Sequence, residues 1–396
     1  MANAVYDHLV AIVVIGMIFV GTVVALPAVT YSALQTVDQQ QLRNTALNVF
    51  DSMLLGVGSP SEWGSIASEN FSQTNVTLFG LATPNPLSKF VLSSGKVQRL
   101  NISAGPGVGY EYIRGLLNLQ DFGFRLSISR PFRVASYLNV TESLAHFSVT
   151  VTRAEDGTPI PKAEVQVTTV VTASSVAKNK TTGEYDLIYN MSSYGPYYTD
   201  LAGNCHDDVS VDLSGYLVNY AIAIMKINVG GMTATVVTQT ENEITKYIKV
   251  NVFGDTMELT FRNESVDNPS ERRVKAIRAF DSETFYKLFD SFGGSSPDYK
   301  ITNGEGYITW TMTYSGLEAL DPQALLFMLQ LTVPGAHDGL PARRLVPIAG
   351  PYGFGDPEEI FGFGPNPGSE NIIAIMRRLV VVSGNTYVAQ IAFWRE

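Results

Sequence analysis

A single cysteine, Cys205, stands in a chain of 396 residues, so there is no internal disulfide framework and the fold must rest on its hydrophobic cores. Histidine is nearly as scarce, with only His8, His146, His206 and His337. Charged residues make up 16 %, the net charge is −10 and the pI is near 5. No basic stripe interrupts that acidity, which excludes nucleic acid as the natural partner. The chain also lacks a His-Glu-x-x-His, a Gly-x-Ser-x-Gly and a Walker loop, so no motif assembles a catalytic or cofactor-binding set. The expectation is a non-enzymatic protein without cofactor or metal.

What the chain does have is an uncharged run over residues 9–29 (LVAIVVIGMIFVGTVVALPAV). A helix rises about 1.5 Å per residue, so ~20 apolar residues match the ~30 Å hydrocarbon core of a bilayer. Helical spacing continues through Leu34, Val37, Leu42, Ala46, Val49, Phe50 and Met53 until Gly56-Val57-Gly58-Ser59-Pro60 stops it. The pattern predicts a long N-terminal helix over 1–57, transmembrane at first and amphipathic after it. Its membrane or assembly face would carry Leu9, Val14, Ile18, Val23, Leu34, Val37, Leu42, Val49 and Met53. That stripe fits either packing against neighbouring copies or packing on the chain's own globular part.

The remainder reads as α+β, mostly β, in three parts. Residues 58–135 read as a small mixed module, with Val76–Ala82 and Phe122–Ile128 as strands and Pro86–Val91 and Tyr110–Leu119 as helices. Residues 136–245 alternate as a β-sandwich, and 246–396 form a further β-rich domain. In the last part Ser282–Phe289 and Pro322–Leu329 read as short helices, and Arg377–Trp394 as a hairpin around Ser383-Gly384-Asn385.

Two resemblances attach to these segments. The long helix ending in FDSMLLGVGSPSEWGS, then VTLFGLA, SKF…GKVQRL and YEYIRGLLNLQDFGFRLSI, resembles the archaeal type IV pilin-like, membrane-anchored surface proteins over about the first 130 residues. It implies a filament subunit, self-associating through the helix, or an anchored ectodomain. Met1–His8 departs from that pattern, because it has neither the basic residue nor the glycine of a pilin processing site. The order DGTPIPKAEVQV, TTGEYDL, TDLAGN resembles Ig-like and carboxypeptidase-regulatory-like sandwich modules, which implies a fold and no particular activity.

The remaining signals concern surface and contact. Seven Asn-x-Ser/Thr sites, at Asn70, Asn75, Asn101, Asn139, Asn179, Asn190 and Asn263, are candidate N-glycosylation positions on an exposed face. Cys205-His206-Asp207-Asp208 is the densest set of ligand-type residues, yet neighbours on a strand point to opposite faces, so an exposed loop is the default there. The loop over 350–368 holds six glycines and four prolines, and its Tyr352, Phe354, Phe361 and Phe363 form a candidate partner-contact surface. Together these predict a membrane-anchored cell-surface protein, pilin-like, adhesive or structural, with a glycan or surface protein as ligand. The alternative is an anchored carbohydrate-binding protein or glycoside hydrolase using Asp356, Glu358 and Glu359.

Overall fold

A computed structural model describes residues 14, 15, 17, 19, 38–86, 88–100, 106–141, 144–178, 185–211, 216–239, 248–262, 274–280, 285–290, 299–304, 307–314, 326–333, 342–349, 361–368 and 372–396. Helix α1 covers 38–55, and its apolar stripe (Leu42, Ala46, Phe50, Met53, Leu54) repeats every three or four residues. That stripe is buried in the chain's own head module, with Phe50, Met53 and Leu54 fully inaccessible. Helix α1 stops where Gly56 N–H bonds Ser52 O, and Leu81 N–H caps the Met53 carbonyl at 2.8 Å.

The expected transmembrane helix is corrected here. Among the described residues no helix is long and apolar enough to cross a membrane, and the chain is predominantly strand. Leu42 and Met53 cannot face neighbouring rods, since the head module already covers them, and Val49 packs partly against it. Val14 is helical and 47 % exposed, while Leu9, Ile18, Val23, Leu34 and Val37 lie outside the described residues.

The head module is built from both ends of the sequence. Its sheet takes β1 (Val91–Leu92) and β2 (Phe122–Ser129) from the N-terminal half. From the C-terminal end come β18 (Phe361–Phe363), β19 (Ile373–Val382) and β20 (Asn385–Arg395), in the order β1-β19-β20-β2-β18. Helices α2 (Ser94–Gln98) and α3 (Tyr110–Leu116) complete it, and one core joins α1, the sheet and the intervening loops. Within that core Gly80 sits so close to Gly56 that a Cβ would lie 2.2 Å from the Gly56 carbonyl oxygen. The Trp63 indole donates to Gly80 O at 3.2 Å, so the Gly-x-Gly…Trp…Gly-Leu-Ala pattern is a packing joint. Val76–Ala82 forms no strand, only bridges at Leu78 and Ala82, and the described residues of Pro86–Val91 are not helical, Phe90 adopting a φ of 62° and Val91 entering β1.

Everything between β2 and β18 is inserted into that sheet. First comes a two-layer sandwich. One layer is β3 (Phe132–Thr141), β4 (Leu144–Arg153) and β7 (Asn204–Ser210), in the order β3-β4-β7. The other is β5 (Glu164–Lys178), β6 (Tyr185–Tyr198), β8 (Tyr216–Val229) and β9 (Met232–Gln239), in the order β6-β5-β8-β9. Alternate residues of both layers, Phe147, Val149 and Val151 against Val165, Val167 and Met225 among them, share one core. Two more four-stranded sheets follow. The first is β10 (Ile248–Phe253), β11 (Thr256–Arg262), β15 (Tyr307–Thr313) and β14 (Tyr299–Gly304), in that order. The second is β13 (Phe285–Asp290), β12 (Val274–Phe280), β16 (Leu326–Val333) and β17 (Ala342–Ala349). β13 and β16 occupy segments expected to be helical. Short apolar runs carry no period that separates the two, and cross-strand pairing decided for strand.

Candidate functional site

Two clusters of polar side chains stand out, one inside the head and one on the sandwich. Inside the head, Lys96 is 1 % exposed, and its ammonium donates to Val57 O and Ala82 O, both at 2.7 Å. Burial lowers its pKa to about 8, with Glu62 opposing. One turn on, Arg99 is equally buried, donates to Pro106 O at 2.7 Å and to Ser68 Oγ at 3.2 Å, and also bonds Ile66 O. Its guanidinium lies between two rings, 4.1 Å from the Phe71 centroid and 3.7 Å from that of Phe253. Burial brings it down to about 10, and the nearby Glu258 carboxylate works against that. Glu258 in turn accepts from Ser68 N at 3.2 Å and Ser68 Oγ at 2.9 Å. Gln98 Nε2 reaches Val252 O at 3.2 Å. The cluster therefore fastens the β10–β11 hairpin to the head.

A matching joint fastens the sandwich. Thr235 N–H donates to Asn385 Oδ1 at 2.7 Å, and Thr233 N–H to Thr386 Oγ1 at 3.1 Å. Arg377 meets Glu155 at 2.7 Å across the same boundary.

On the sandwich, register brings together residues that the sequence keeps apart. Asn139, His146 and Asp208 form one row across β3, β4 and β7. His146 Nδ1 lies 2.5 Å from Asp208 Oδ1, and Thr141 Oγ1 lies 3.3 Å from His146 Nε2. This is a hydroxyl–imidazole–carboxylate array, the order that activates a nucleophile when water is excluded and donors face the developing oxyanion. Here the imidazole and carboxylate side chains are 38 % and 61 % exposed on an open sheet face. The array was invisible in the sequence, because only strand register sets His146 opposite Asp208.

The Cys205–Asp208 segment splits as its strand period requires. Cys205 points into the core, where burial, then Asp207 and Asp200, raise its pKa and keep the thiol protonated. His206 and Asp208 are exposed on the other face, and Asp207, on the Cys205 face, is exposed as well. Asp207 lies beside Tyr197, whose hydroxyl is pushed up to about 12 by burial first and by Asp207 second. Among the described residues no group of three His, Cys, Asp or Glu is placed to hold a metal ion. Asp200 caps a turn, accepting from Ala202 N at 2.9 Å and Asn204 N at 2.8 Å.

Of the expected contact loop, Phe363 is 4 % exposed and packs on Tyr110 and Phe124, so it seals the head and offers no partner surface. Phe361 lies on β18 opposite Ile128, while Tyr352, Phe354, Asp356, Glu358 and Glu359 fall outside the described residues. Of the sequon asparagines, Asn70, Asn75 and Asn139 are exposed and Asn190 is half-buried. Asn101, Asn179 and Asn263 are outside the described residues.

No protein-family model matches the chain, and no curated protein matches it. Among solved structures, the chain aligns with the sporulation control protein Spo0M of Bacillus subtilis at 9 % identity, covering 56 % of this chain and 90 % of that one, with a TM-score of 0.17. A marsupial T cell receptor aligns at 8 % identity over 67 % of this chain and 92 % of the receptor, also at 0.17. Scores this low carry no argument about fold or activity. The pilin-like resemblance is therefore withdrawn: no family match supports it, and Leu42 and Met53 of the expected assembly face lie buried in the head. An archaeal source, filament membership and glycosylation lose their support with it. The sandwich stands on its own sheet order, without an Ig-like assignment.

Proposed function

We propose that this chain is a non-enzymatic contact protein of the cell surface, with rigidly joined β modules that hold a binding surface in place. The observation that supports this reading is the destination of its interior charge. Lys96, Arg99 and Glu258 bond to backbone carbonyls, to Ser68 and to aromatic rings where segments meet. Buried charge engaged this way fixes one module against another. The low overall charge suits an exterior location. The test is biotinylation of intact cells with a membrane-impermeant reagent. The chain should be labelled before lysis and should retain a labelled surface component when immobilised. Labelling only after lysis would refute the location, and no retained component would refute the contact role.

A second reading, hydrolysis, is favoured by the Thr141–His146–Asp208 array alone. Turnover of simple ester or glycoside substrates that His146→Ala abolishes would establish it. A full screen without turnover would leave the array as a surface hydrogen-bond chain.

A further inference from the structure

β19 is a ten-residue strand that is paired fully on one side only. Along one edge every residue meets β20, from Ile373 opposite Trp394 to Val382 opposite Asn385. Along the other edge β1 covers just Val381 and Val382. The Val381 N–H leaves the sheet on this side to bond Phe90 O at 2.9 Å. Antiparallel pairing alternates, so the N–H groups of Leu379, Arg377, Ile375 and Ile373 point the same way. Among the described residues no strand meets them. The side chains at these positions are also apolar for the most part. Ile373, Ile375 and Leu379 are 38 %, 55 % and 53 % exposed, and Ile372 beside them is 50 % exposed.

Natural sheets avoid a long, apolar, unpaired edge unless something pairs with it. We propose that the open edge of β19 docks an extended strand of a partner protein, with apolar residues at alternate positions and a carboxylate facing Arg377. This deepens the contact reading above and rests on it. A strand is the fitting occupant because a row of backbone donors and acceptors is matched best by another backbone, the Arg377 carbonyl exchanging its present bond from Arg378 Nη1 at 3.2 Å. The added strand would lie in line with β1. At that end a cavity of about 300 Å³, lined by Leu54, Leu55, Pro86, Phe90 and Val91, offers a seat for its terminal apolar side chain.

Charge selects the kind of strand. Residues 372–382 carry Arg377 and Arg378 and no carboxylate of their own, Arg378 facing Asp51 of α1 at 3.6 Å, and Lys89 adds a third cation at the cavity. A second copy of β19 would bring arginine pairs together across the new ladder, which like-charge repulsion opposes. An acidic strand meets no such penalty. Arg377 can turn toward it, because its present partners, Glu155 and the Gln390 side-chain oxygen at 2.7 Å, are engaged in exposed, exchangeable bonds.

The experiment selects displayed random decapeptides on the full-length chain, then measures the winners by fluorescence anisotropy. Enrichment of alternating β-branched residues with an Asp or Glu is expected. Binding should weaken at least about tenfold with Ile375→Lys/Leu379→Lys, and likewise when alternate peptide amides are N-methylated. Both substituted side chains are solvent-exposed, so an unchanged melting temperature will show that the variant is folded. Failure to select any peptide, or binding indifferent to both changes, overturns the proposal. So does a wild-type dimer in sedimentation that the double variant dissociates, which would make a second copy the occupant. A surface component retained equally by the double variant would overturn the β19 site while leaving the contact function standing.

Discussion

Lys96 carries its ammonium between two backbone carbonyls in a site 1 % exposed to solvent, with a pKa near 8 against an ordinary 10.5. Between about pH 8 and 10.5 the folded chain has released a proton that the unfolded chain still holds. The Lys96 contribution to stability therefore rises with pH across that window, and below it the buried charge is carried at a cost. Urea denaturation of the wild type and Lys96→Met should show this directly. The difference between them should grow from pH 7.5 to pH 10. At the upper end the variant should be less stable by about 1–3 kcal/mol, because Val57 O and Ala82 O lose their donor. A difference that stays flat with pH would mean that Lys96 titrates as a solvated amine. Little of this was visible in the sequence. A lysine in SGKVQR reads as surface, and only the approach of two distant loops encloses it.

At the level of single elements, the C-terminal hairpin was the most legible part of the chain. Apolar runs flank Ser383-Gly384-Asn385, and the structure pairs Val382 with Asn385 around a two-residue turn with φ of 51° and 73°. Positive φ at both turn positions matches the right-handed twist of the strands, which is why glycine suits the second. Asn385 also has a longer reach, since its carbonyl oxygen accepts from Thr235 N–H and its amide donates to Ser383 O. Asn385→Ala should lower stability by about 1–2 kcal/mol in thermal or chemical unfolding, from an orphaned N–H at the sandwich boundary. An unaffected variant would show that water replaces the side chain there. The helices expected over 282–289 and 322–329 illustrate the opposite case. FYKLFD and LFMLQLTV are short runs with no period that resolves helix from strand; the first is fixed as a strand by its hairpin with β12, the second by pairing with β12 across a long stretch of chain.

The whole molecule is a head module split by the rest of the chain. Strand alternation identified many of the strands but not their partners, so nothing in the sequence placed β20 beside β2, more than 250 residues earlier. The candidate site suffered similarly: the expected aromatic contact Phe363 is a core residue, and the exposed edge of β19 had read only as half of a hairpin. The joints between modules hold the segments together, and Arg99 makes one of them with three hydrogen bonds and two ring contacts. Arg99→Met keeps the bulk but removes the cation from between Phe71 and Phe253 and leaves Glu258 without its nearby opposite charge. It should destabilise the chain by about 3 kcal/mol and open the β10–β11 hairpin to limited proteolysis before the head unfolds. If the proteolytic pattern were unchanged, the hairpin would be held by other contacts.

Hydrogen exchange on the intact chain, resolved to single amides and repeated with a selected strand peptide bound, bears most directly on a surface held ready for a partner. The Val381 amide and those of β20 should exchange slowly throughout. Those of Ile373, Ile375, Arg377 and Leu379 should exchange fast alone and become protected on binding. Protection of these four amides in the unbound chain, or no change when the peptide is added, would contradict the open edge of β19.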